Sequence, residues 1–184
     1  MSSKSLSVME VDRPLIVAGL AIGAVFGFAG GIAGPGGANS LLYAISSAGL
    51  IVGCLFATLS AYERGMRVRA AGFACLALAE AVMHSGTGGA NAESAFAGGA
   101  LLYVPALLLI AAEAGLSPIT RAAGALAALP FGVHSVAFYL GADVSYAGPL
   151  AQGGYVLLSL AIIGWIVSAL RAPSPRRIAR TVPA

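Results

Sequence analysis

The sequence predicts an all-α, polytopic membrane protein: six transmembrane helices in three antiparallel hairpins, with both termini on the cytoplasmic side. Three observations predict it. Of 184 residues, 59% are hydrophobic and only 9% are charged, where a soluble domain carries about 25% charged residues. A chain this apolar has too little polar surface to face water, so its solvent is lipid. Six apolar stretches approach the length of about 20 residues that crosses about 30 Å of hydrocarbon. Finally, all ten Lys and Arg residues fall on one side of the resulting path.

The first span reads from Pro14 to Gly34 and stops at Gly34-Pro35-Gly36-Gly37. The second runs from Ser40 to Ala61, with Asn39 or Ser40 as its expected cap. The third runs from Arg67 to Ser85 and ends at Gly86-Thr87-Gly88-Gly89. The fourth spans Ala92 to Ala114 and the fifth Ile119 to Leu140. Ser117-Pro118 precedes the fifth: a capping serine, then proline at the first helical position. The sixth runs from Leu150 to Leu170, behind Pro149. The connections are short, so consecutive helices are antiparallel neighbours. Residues 1–13 form a cytoplasmic N-terminal segment, 14–170 the transmembrane domain, and 171–184 a basic cytoplasmic tail expected to be disordered.

Orientation follows from the excess of Lys and Arg on cytoplasmic loops. Lys4 and Arg13 precede the first span, Arg64, Arg67 and Arg69 follow the second, and Arg121 follows the fourth. Arg171, Arg176, Arg177 and Arg180 follow the sixth, and the three other loops hold none. Adding or dropping one internal helix would scatter arginines to both faces. The one competing arrangement treats the first span as a cleaved signal segment and leaves five helices in the same orientation. Glu10 and Asp12 dilute the positive charge that such a segment carries. The expected location is a prokaryotic plasma membrane.

The net charge of +3 comes from these loops and not from a basic stripe interleaved with aromatics, so no nucleic-acid partner is expected. The lipid bilayer is the expected partner, with a second copy or another membrane subunit as the alternative. Cys54 and Cys75 fall within spans and read as small packing residues. Short fragments recur in the hairpins. Arg69-Ala70-Ala71-Gly72 matches Arg121-Ala122-Ala123-Gly124, and Gly36-Gly37-Ala38-Asn39 matches Gly88-Gly89-Ala90-Asn91. Triplication of a hairpin and chance in an Ala- and Gly-rich chain explain them equally well.

The first span carries glycine at every fourth position: Gly19, Gly23, Gly27 and Gly31. Such a ridge lacks side chains and permits the close van der Waals contact that joins helices in lipid. Gly49 and Gly53 form a similar stripe on the second span, which makes the two helices expected partners. The alternative use of the ridge is docking another subunit, in a non-catalytic scaffold protein.

Chemistry concentrates at one acid. Glu80 is the only carboxylate well inside a span, where an ionised group is costly and is normally paired or faces water. His84, four residues on, shares its helix face and is its expected partner. His134 adds a second imidazole in the outer half of the fifth span. Tyr103, Ser46 and Ser47 can supply hydroxyls, and Pro105 and Pro130 free backbone carbonyls within helices. Titratable groups at this depth suit a transporter or channel for a small solute or ion. The competing readings are polar glue between helices, a metal or haem carrier, and a membrane hydrolase. Ligand spacing for a metal is absent and no nucleophile is placed beside a base, so no cofactor is expected and catalysis is disfavoured. Tyr43, Tyr139, Tyr146, Tyr155 and Trp165 sit near span ends, as interfacial anchors do.

Overall fold

The structure is a computed structural model that describes residues 8–33, 37–87 and 89–171. The described residues form six helices and no strand: α1 (Val8–Ile32), α2 (Gly37–Glu63), α3 (Arg67–Ser85), α4 (Ala92–Ala111), α5 (Pro118–Tyr139) and α6 (Pro149–Arg171). All six are long and apolar enough to cross a membrane. Lys4, Arg176, Arg177, Arg180, the Gly34-Pro35-Gly36 turn and Gly88 lie outside the described residues.

The ends of the helices depart from the sequence reading in places. α1 begins at Val8 and runs through Pro14; the ring deletes one backbone hydrogen bond near the start of the helix. α2 begins at Gly37, so Asn39 is no cap. Its Nδ2 instead donates to the Gly30 carbonyl at 2.6 Å and ties the first turn of α2 to the last turns of α1. α4 stops at Ala111, three residues early, and Arg121 Nε donates to the Ala111 carbonyl at 2.7 Å. A guanidinium there also complements the negative end of the helix dipole. Ser117 caps α5 as expected, accepting from Thr120 N at 3.1 Å, with Pro118 at the first helical position.

Two turns require glycine. Gly65 and Gly141 have φ of 74° and 83°, a left-handed conformation that other residues adopt at a cost. Around Gly65, Met66 N donates to Ala61 O and Gly65 N to Tyr62 O, both at 2.9 Å. Around Gly141, Ala142 N donates to Ala137 O and Gly141 N to Phe138 O, again at 2.9 Å. Both are the paired bonds by which a glycine-terminated helix satisfies its last carbonyls.

Each helix packs on the next in sequence, and α6 returns to pack on α1, so the six close into a ring. The α1–α6 seam is the most sparsely packed of the six contacts. The α1–α2 contact is the tightest, and glycine permits it. A Cβ on Gly19 would lie 2.5 Å from Gly53 N and 2.7 Å from Gly49 O, and one on Gly27 would lie 2.9 Å from Ser46 Oγ. Ser46 Oγ donates to the Gly23 carbonyl at 2.7 Å across the same contact.

Aromatic side chains fill the middle of the ring. Phe73 of α3 meets Trp165 of α6 edge-on at 5.2 Å. Tyr103 of α4 and Tyr155 of α6 each pack edge-on against Phe131 of α5, at 4.7 and 5.4 Å. Trp165 is therefore a core residue, 2% exposed, and not an interfacial anchor: its depth in α6 places it between helices. The outer surface is apolar in turn. Phe28, Leu78, Leu129 and Val156 are 59–66% exposed, each on a different helix, as a lipid-facing wall requires. Cys54 is buried, Cys75 half-buried, and both are free thiols.

Candidate functional site

Glu80 points into the ring from α3 and is 3% exposed. Two neighbouring helices supply its donors. Ser47 Oγ of α2 donates to Oε2 at 2.8 Å, and the Tyr103 hydroxyl of α4 donates to Oε1. Ser47 is 8% exposed and Tyr103 fully buried, so water does not displace either bond. Among the described residues, no Lys, Arg or His pairs with the carboxylate. Both oxygens are met by neutral hydroxyls, which stabilise a buried acid less than a cation would.

The carboxylate forms part of the wall of a cavity of about 160 Å³ between α1, α2 and α6. Gly23, Gly27 and Gly31 of α1 line it, beside the face on which Gly23 and Gly27 pack against Leu50 and Ser46 of α2. Opposite them stand the polar groups of Tyr43, Ser47, Gln152, Tyr155 and Ser159. A smaller pocket of about 60 Å³ lies toward the α1–α2 and α3–α4 turns and shares Tyr43, Ser47 and Tyr155 with the first. Asn39 and Tyr146 line its other end. A series of polar side chains thus leads from the α3–α4 end of the bundle to the acid.

The remaining sequence-predicted residues lie elsewhere. His84 occupies the last turn of α3 and is exposed. It does not pair with Glu80. The two share a helix face, but His84 is one turn nearer the rim, where Ser47 and Tyr103 have no counterpart. His134 is fully buried, yet neither ring nitrogen finds a partner. Its contact is apolar: Phe96 packs edge-on against the imidazole at 4.7 Å. The neighbouring Ser135 donates to Ala97 O and Phe131 O, both at 2.9 Å, and so is engaged in helix packing. Of the four proposed site residues, the structure joins Glu80 and Tyr103 and leaves the two histidines apart.

Three residues of α6 complete the walls: Tyr155, which the sequence suggested only as an interfacial anchor, and Gln152 and Ser159, which it did not single out. The only sequence signal of Gln152 and Ser159 is polarity along one stripe of an apolar helix. No group of three His, Cys, Asp or Glu among the described residues is placed to hold a metal ion.

The helices and their apolar exterior define a multi-pass membrane protein, with a buried acid in its interior. The chain matches no family model, no curated protein and no solved structure.

Proposed function

We propose that the protein is a small membrane transporter or channel for a small solute or ion, in which the Glu80 carboxyl takes up and releases a proton. One observation carries this reading. A buried acid with two hydroxyl donors and, among the described residues, no cationic partner adjoins a polar-lined cavity inside a lipid-facing ring. Polar glue between helices needs no cavity beside it, and an acid at this depth is retained at a cost that function offsets. The glycine ridge supports the same reading, since Gly19, Gly23 and Gly27 pack on α2 and leave no bare face for a docking subunit. The arginine-bearing turns and both termini face the cytoplasm under this proposal, because Lys and Arg accumulate there.

The test uses the purified chain in proteoliposomes loaded with a pH-sensitive dye. An imposed potassium diffusion potential drives proton movement. The wild-type chain is expected to acidify the lumen faster than empty vesicles, and Glu80→Gln to remove that difference while the protein remains folded. Equal proton flux in the two proteins would refute the role of Glu80.

A further inference from the structure

The end of the bundle where α1 begins and α6 ends holds a second concavity. Arg64 lies in the α2–α3 turn, Arg69 in the first turn of α3, and Arg171 at the end of α6. These three arginines line one open cavity of about 520 Å³, and Ser117, Thr120 and Ser168 place hydroxyls in its wall. No acid lines it. Asp12 lies within electrostatic reach of Arg64, and Glu113 within reach of Arg69. Among the described residues, none of these acids forms an ion pair with the three arginines.

Like charges collected around one void repel each other, and surface arginines normally spread into solvent. Arg67, two residues before Arg69, does so. Arg69 does not: it is half-buried, and its guanidinium lies 5.7 Å from the centre of the Phe73 ring. Phe73 is in turn fixed against Trp165. The Phe73–Trp165 contact across the ring therefore holds one charge at the cavity while the turn and the end of α6 bring two more.

We propose that this cavity binds a phosphate group. Its several oxygens can accept from planar guanidinium forks and hydroxyls together, and its charge offsets the mutual repulsion of the arginines. Two sources share that chemistry: the headgroup of an anionic phospholipid, which basic pockets between spanning helices take up, and a soluble phosphate. The cavity sits at the opposite end of the bundle from the outer pocket near Glu80, and its occupancy does not depend on any role for that residue.

Trp165, the only tryptophan, lines the adjoining pocket with Arg64 and Arg69 and serves as an internal reporter. In one arm, full-length protein in phosphatidylcholine nanodiscs is titrated with sodium phosphate against sodium chloride at matched ionic strength. In the other, it is reconstituted in phosphatidylcholine with rising fractions of dibrominated phosphatidylglycerol, with dibrominated phosphatidylcholine as the reference quencher. A saturable change in Trp165 emission is expected in at least one arm. Arg64→Gln with Arg171→Gln, both exposed positions away from the core, is expected to weaken it by about tenfold or more, as loss of charge-assisted bonds does. Response to the lipid alone assigns a headgroup, and response to phosphate alone assigns a soluble ligand. No saturable response above the controls in either arm, or an equal response from the double variant, overturns the proposal. Matched melting temperatures establish that the variant remains folded.

Discussion

Tyr103 of α4 donates its hydroxyl hydrogen to Oε1 of Glu80 on α3, and both side chains are buried. The bond crosses between two helices of one hairpin, and Ser47 adds a second from α2. Three consecutive helices are thus fixed to one another through a single carboxyl group.

Tyr103→Phe removes a donor and leaves a buried oxygen unmet. It should lower stability by about 1–3 kcal/mol, the cost of stranding a buried acceptor. Ser47→Ala should act in the same direction through Oε2. Both effects are read from unfolding in micelles. Because the two donors share one acceptor group, the double variant is expected to depart from additivity. A Tyr103→Phe protein as stable as the wild type would show that the bond contributes nothing.

The helices were legible because lipid imposes length and composition on each of them, and the end caps follow from local residues such as Ser117 and Pro118. The glycine contact was legible too, since a four-residue spacing puts Gly19, Gly23 and Gly27 on one ridge whatever they touch. Partnership around Glu80 was only half legible. A four-residue spacing states that Glu80 and His84 share a face, but not that the face turns toward Ser47 and Tyr103 at one level and opens at the next. Trp165 misled for a related reason. Proximity to a helix end resembles an anchor, and only the position of Phe73 across the ring makes it core.

Gly19→Leu should be among the most damaging single changes. Its Cβ alone would stand 2.5 Å from backbone nitrogen of α2, and backbone cannot move aside as a side chain can. A loss of about 3 kcal/mol or more is expected, at the upper range of overpacking. Gly153→Leu is the control, since a Cβ there meets nothing within 4 Å. Thermal unfolding of the two variants in the same detergent separates crowding from the mere loss of a glycine.

The two histidines should behave differently. His84→Ala, at an exposed position in the last turn of α3, is expected to change stability by less than about 0.5 kcal/mol. His134→Leu removes two buried nitrogens that have no partner and should be neutral or stabilising by about 1 kcal/mol, because nothing is left unpaired. Destabilisation by His134→Leu would assign the imidazole a polar role that its surroundings do not supply.

Sidedness is testable without knowing a substrate. In a chain with Cys54 and Cys75 replaced by alanine, single cysteines at Asn91, in the α3–α4 turn, and Glu63, at the end of α2, lie at opposite ends of the bundle. A membrane-impermeant maleimide should label Asn91→Cys on intact cells and Glu63→Cys only after permeabilisation. Labelling of both from outside, or the reverse order, would refute the assignment made from the arginines.

The thin seam between α1 and α6 gives the last helix a particular importance. It supplies Gln152, Tyr155 and Ser159 to the chamber beside Glu80, so a chain halted after α5 would leave that chamber open to lipid tails along its whole side. During synthesis the acid therefore acquires its finished surroundings only when the final stave is set, and quality control that senses an exposed intramembrane polar group would read completion of α6 directly.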